Sequence, residues 1–95
     1  MQIEVVLKKF GMTEKEIAVY LASVELGSSS VRTISQKAKV NRGTTYDILK
    51  SLINLGVVSY YNKESKQYFI AERPETLLAV IEKKQEDLKN IKVNI

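Results

Sequence analysis

Five residues, Arg42-Gly43-Thr44-Thr45-Tyr46, stand in one run, followed directly by Asp47 and, about one helical turn after Tyr46, by Lys50. Their side chains supply hydrogen-bond donors, hydroxyls and fixed positive charge, but no general base poised near neutral pH. A guanidinium or an ammonium can donate to guanine O6 and N7. A threonine methyl can touch a thymine methyl, and lysine or tyrosine can reach a phosphate oxygen. Asp47 would repel phosphate, so it would accept from cytosine N4 or orient Arg42. Chemistry of other kinds is poorly provided for. The 95 residues contain no histidine and no cysteine, so the commonest proton carrier, thiolate metal ligands and disulfides are all missing. No glycine-rich phosphate loop, carboxylate dyad or metal-ligand spacing is present. An enzyme is not expected, and neither is a metal, a cofactor or a bound sugar.

Charge is concentrated around the same run. Residues 31–70 hold Arg32, Lys37, Lys39, Arg42, Lys50, Lys63 and Lys66 against Asp47 and Glu64, a net of +5. Residues 1–30 carry −1, and residues 71–95 balance to zero. The whole excess of +4 therefore lies mid-chain. A solvated face usually mixes signs, whereas neutralising phosphates needs one sign gathered in one place.

Two short helices joined by a tight turn must position these groups. Ser30 can cap the first, with Ile34 and Ala38 on one face; Asn41 can cap the second through a free N–H near Thr44. From Thr45 the apolar positions Ile48, Leu49, Leu52 and Leu55 form a single buried stripe, and Gly56 suits a left-handed cap. Arg42, Gly43, Thr44, Asp47 and Lys50 are left exposed, with Tyr46 at the shoulder. Thr45 shares the helical spacing of Leu49 and Leu52 and so faces partly inward. This is the pattern of a helix-turn-helix, whose second helix, about 42–55, enters the major groove.

The flanking segments complete one domain. Ile3 to Phe10 reads as a short amphipathic helix with Ile3, Val6, Leu7 and Phe10 inward, broken by Gly11. Thr13 and Glu16 form a capping box for a helix to about Leu26 that buries Ile17, Tyr20, Leu21 and Val24. Ser28 to Ser30 read as a loop that delivers a cap. After Gly56 the period becomes alternating: Val57 to Tyr61 and Gln67 to Ala71 are strands around a polar turn, with Lys63 and Lys66 at its tip. That hairpin, 57–71, is a wing for backbone phosphate or the minor groove. One of the adjacent Tyr60 and Tyr61 should point into the core. Pro74 opens a last helix, in which Leu77, Ile81, Leu88, Ile91 and Ile95 recur at alternating steps of three and four, with Lys84 in the remaining seam position. A two-chain coiled coil is the preferred reading of that seam.

Taken together, LKKFGMTEKEIAVYLASVELG followed by NRGTTYDILKSLINLGVV resembles the N-terminal winged helix-turn-helix domain of the TrmB family of transcriptional regulators. The resemblance covers about Leu7 to Leu78, and its specific points are Gly11-Met12-Thr13-Glu14, Tyr20, Gly27, Arg42, Tyr46-Asp47, Leu49 and Gly56. It implies sequence-specific binding of double-stranded DNA, commonly by a dimer. Larger members carry a C-terminal sugar-sensing domain, which these residues lack, and Ser28 stands where proline is frequent. The sequence therefore reads either as a short stand-alone regulator or as a fragment cut within its last helix.

The expected fold is mainly α with a small β-hairpin: a winged helix-turn-helix over 1–72 and a dimerisation helix over 73–95. Base contacts are expected from Arg42, Thr44, Thr45 and Lys50, with Gly43 beside them. Phosphate contacts are expected from Arg32, Lys37, Lys39, Tyr46, Lys63 and Lys66. A rival function is a winged-helix module for protein–protein assembly, because fold alone does not choose a partner. No apolar run approaches the roughly 20 residues of a membrane span, and no secretory signal precedes the first helix, so a cytoplasmic location is expected.

Overall fold

Three of the helices begin where a side chain takes up a backbone N–H that the helix itself leaves free. The computed structural model describes residues 3–9 and 11–93, without the side chains of residues 77, 80, 81, 84, 85 and 89–93. In it, α1 spans Ile3–Lys9, α2 Glu14–Leu26, α3 Val31–Ala38, α4 Arg42–Leu55, β1 Val58–Lys63, β2 Lys66–Ala71 and α5 Pro74–Val93. The capping box forms as expected: the Glu16 N–H donates to Thr13 Oγ1 at 3.1 Å and the Thr13 N–H to Glu16 Oε1 at 2.8 Å. Ser30 and Asn41 cap α3 and α4, with the Thr44 N–H donating to Asn41 Oδ1 at 2.8 Å. Gly56 closes α4 at φ 90°, in the left-handed region where a side chain would be strained. Among the described residues, no helix is long and apolar enough to cross a membrane.

α2 lies at the centre. It packs on α1, α3, α4 and β2, and for that reason buries more of its circumference than one stripe: Val19, Ala22 and Ser23 are enclosed along with Ile17 and Tyr20. Leu21 and Val24, expected in the core, are only partly buried. Leu7 from α1, Ile34 from α3, Ile48, Leu49 and Leu52 from α4, then Val57, Val58 and Phe69 complete the core. Phe10, expected on the inner face of the first helix, lies outside the described residues.

The hairpin is longer and tighter than the expected strands. β1 runs on to Lys63 and β2 starts at Lys66, leaving a two-residue turn of Glu64 and Ser65 at φ 51° and 66°. Positive φ at both central residues is what a type I′ turn requires. Neither residue favours it, so the sequence shows a diffuse polar loop where the chain makes a sharp reversal. Register pairs Lys63 with Lys66, Tyr61 with Tyr68 and Tyr60 with Phe69. Ser29 adds a single bridge to Phe69, with its N–H 3.1 Å from the Phe69 oxygen and the Phe69 N–H 2.8 Å from its own. The serine loop thus ties itself to the wing by one bridge as well as supplying a cap. The architecture is a winged helix-turn-helix followed by a long helix. α5 has 20 residues, ~30 Å of helical rise, in a molecule 49 × 27 × 22 Å in extent.

Candidate nucleic-acid interface

The two helices of the helix-turn-helix join through Lys39, which caps α3 in the left-handed conformation at φ 59° and donates its N–H to the Ser35 oxygen. That sharp turn leaves Lys39 exposed and sends α4 off with Arg42 and Gly43 in water and Thr44 half-buried. Gly43 is an ordinary helical residue by conformation. A Cβ built there would meet only Asn41 Oδ1, at 3.6 Å, so nothing inside the fold calls for glycine. Asp47 is exposed and makes no ion pair with Arg42 among the described residues, so it does not orient the guanidinium as the sequence suggested.

Thr45 requires a correction. It is 0% exposed, and its hydroxyl donates to the Val40 oxygen at 3.3 Å, beneath the turn it helps to hold. The threonine next to an exposed Thr44 is therefore core, because α4 turns that side against α2 and α3. Arg32 is exposed on α3. Lys37 is exposed too, but its ammonium lies 3.2 Å from Glu25 of α2, a partner it would have to exchange for any phosphate. Such an exposed pair contributes little, so the exchange costs little.

Tyr46 and Lys50 turn toward the wing. The Tyr46 ring meets Phe69 edge-on at 6.4 Å, and the Lys50 ammonium lies 5.5 Å from the Tyr46 ring centre. Beyond them, Lys63 and Lys66 form the exposed end pair of the hairpin. Like charges directly opposite are unfavourable in a sheet, so this pair concentrates positive charge at the wing tip at some cost to the hairpin. The expectation that Tyr60 or Tyr61 enters the core is overturned, since both are exposed. Tyr60 shares a sheet face with Phe69 toward α4; Tyr61 lies on the other face, stacked 5.5 Å from Tyr68 and 2.6 Å from the Ser28 hydroxyl. A two-stranded wing has no second layer to cover either tyrosine.

In the seam expected for dimerisation, Leu88 is 62% exposed on α5. The side chains of Leu77, Ile81, Lys84 and Ile91, and all of Ile95, lie outside the described residues.

Comparison with known proteins agrees with this geometry. The family model described as the sugar-specific transcriptional regulator TrmB matches residues 7–75. A sugar-sensing transcriptional regulator of Pyrococcus furiosus, TrmBL1, is 32% identical over 82 residues, 86% of this chain but 23% of the relative. The solved structure of TrmBL2, an archaeal chromatin protein, superposes with a TM-score of 0.82 at 18% identity, over 97% of this chain and 36% of that one. The ST1889 protein of Sulfolobus tokodaii superposes with a TM-score of 0.72 at 21% identity, over 97% and 99% of the two chains. At such identities the two structures speak for the fold alone. The chain spans only about a quarter of the length of TrmBL1 and about a third of TrmBL2. With most of its residues matched by that family model, the chain belongs to the TrmB family of transcriptional regulators.

Proposed function

We infer that this chain is a DNA-binding transcriptional regulator or the operator-binding part of one, acting on double-stranded DNA as a homodimer in the cytoplasm. The observation that carries this reading is the exposed edge of Arg42, Gly43 and Thr44 at the start of α4, inside the segment that holds the entire positive excess of the chain. Arg42 is the residue best placed to donate to guanine in the major groove. Arg32, Lys37 and Lys39 from α3 and its cap, with Lys63 and Lys66 from the wing, act as phosphate ligands, which set affinity and register without reading sequence. Residues 1–72 act as the DNA-binding unit and 73–95 as the dimerisation helix. Support comes from the relatives: TrmBL1 is named as a sugar-sensing transcriptional regulator, and TrmBL2 as a chromatin protein with its own mode of DNA binding.

Selecting bound sequences from a random duplex pool and then titrating the best site against salt tests the assignment. Arg42→Ala should cost about 1–3 kcal/mol on that site and relax preference at one position. Removing Lys63 and Lys66 together should weaken all duplexes alike and shallow the salt dependence by about 2 in slope. Equal, sequence-independent losses from both changes would reduce Arg42 to a phosphate contact. No binding to any duplex would favour a protein–protein role for the same fold.

A further inference from the structure

Between α4 and the wing runs an open groove of about 190 Å³ whose polar lining is Tyr46, Lys50, Asn54, Tyr60 and Gln67, over a floor that includes Phe69. Every polar side chain there can donate a hydrogen bond: two phenols, one ammonium and two carboxamides. Among the described residues, no carboxylate lines it. Tyr60, Gln67 and Phe69 alternate onto the one sheet face that looks at α4, while Lys63 and Lys66 belong to the opposite face. The lysines of the wing therefore do not serve this groove, and Lys50 is its cation. Tyr60 is 51% exposed and Tyr46 39%, so both hydroxyl-bearing rings reach the surface, Tyr46 with its inner edge on Phe69.

In B-DNA one sugar-phosphate strand separates each major groove from the next minor groove. A protein with a helix in one groove and a hairpin in the other must straddle that strand. We propose that the cleft between α4 and the wing is a phosphodiester clamp. Lys50, Tyr46 and Tyr60 hold phosphate oxygens there, Asn54 and Gln67 donate from either wall, and the part-exposed Ile53 lies against deoxyribose. This rests on the DNA-binding reading above and adds three residues to it, Asn54, Tyr60 and Gln67. It also moves Lys50 from the bases to the backbone, because the ammonium lies beside the Tyr46 ring on the side of the wing.

The test is a salt series of binding titrations on a random-sequence duplex and on the selected best site. It uses the whole chain with Lys50→Gln, Tyr60→Phe or Gln67→Ala, and Lys15→Gln as a control for net charge away from the groove. Lys50→Gln should lower the slope of log affinity against log salt by about 0.9, one counterion, with the ranking of sequences kept. Tyr60→Phe and Gln67→Ala should each weaken both duplexes by about tenfold to a hundredfold, the value of one hydrogen bond to a charged acceptor. Lys15→Gln should leave the slope and both affinities unchanged. A change in sequence ranking with Lys50→Gln would overturn the clamp in favour of base reading. Loss of less than about twofold in all three variants, with wild type still binding, would show the groove empty in the complex. Tighter binding to a single strand than to duplex, indifferent to Tyr60→Phe, would make the tyrosines stacking platforms instead. A wild type that binds no duplex would sink the DNA-binding reading itself and the clamp with it.

Discussion

Gly43 sits in the first turn of α4 with room for a side chain and no positive φ to demand its absence. A glycine kept where alanine would be the better helix former is explained by something that comes close from outside. Gly43→Ala should therefore raise stability in urea by up to about 1 kcal/mol while lowering affinity for the best DNA site by about tenfold, the cost of an added methyl at a packed contact. Unchanged affinity would remove Gly43 from the interface. Its neighbour illustrates the limit of reading at this scale. Thr44 and Thr45 are chemically identical, yet one is half-exposed and the other fully enclosed under the Val40 carbonyl. Only Thr44 is available to a partner.

Among the elements, the junction between wing and last helix is held more firmly than its loop residues suggest. The Tyr20 hydroxyl of α2 donates to the Glu72 carbonyl at 2.8 Å, and the Glu72 N–H donates to Val57 at 2.7 Å. Burial, reinforced by the negative charges of Glu75 and Glu72, pushes the Tyr20 phenol up from 10.0 to about 12. The unfolded chain releases this proton near its ordinary value and the folded chain keeps it, so the contribution is whole below about pH 10 and is lost as pH rises toward 12. Tyr20→Phe removes the ionisation and the hydrogen bond together. The variant should be less stable at neutral pH by about 1 kcal/mol, and its stability should fall less steeply between pH 10 and 12 than that of wild type. Parallel curves for the two proteins from urea denaturation at each pH would show that Tyr20 titrates normally. The hairpin belongs to this scale as well, because a pair of lysines at a strained turn weakens the wing while concentrating positive charge at its tip.

For the molecule as a whole, the expectation that follows from α5 is a dimer. α5 leaves Leu88 largely in water, and the sequence repeats Leu77, Ile81, Ile91 and Ile95 at the same spacing. Burying one such side chain contributes roughly 1.5–3 kcal/mol, so several per chain can exceed the cost of association. We expect wild type to sediment as a dimer at micromolar concentration and to prefer a pseudo-palindrome with half-sites about one helical turn, or a multiple of it, apart. Changing Leu88 and Ile91 together to lysine should give a folded monomer with much weaker operator binding. A monomeric wild type would exclude the coiled coil, and a dimer that survives the double change would move the interface to another helix.

The features readable from the sequence alone are those set by neighbours three or four residues away. Thr13 with Glu16, Ser30 and Asn41 each cap a helix by a contact inside one turn. The stripe Ile48, Leu49 and Leu52 likewise needs only helical spacing to declare its inner face. These local rules sufficed for the helix-turn-helix, for the wing that follows it and for the family pattern. The site needed the tertiary structure, because its surfaces are made by segments far apart in the chain. Ser29 bridges to Phe69, Lys37 reaches Glu25, and Tyr46 of α4 leans on the wing. Whether Thr45, Tyr60 or Tyr61 is covered depends on what lies opposite. A helix packed on two sides leaves no room for Thr45 outside, whereas a two-stranded wing has nothing to bury its tyrosines against. Spacing along a chain fixes which side chains share a face, and only the packing of distant elements determines which faces stay open to a partner.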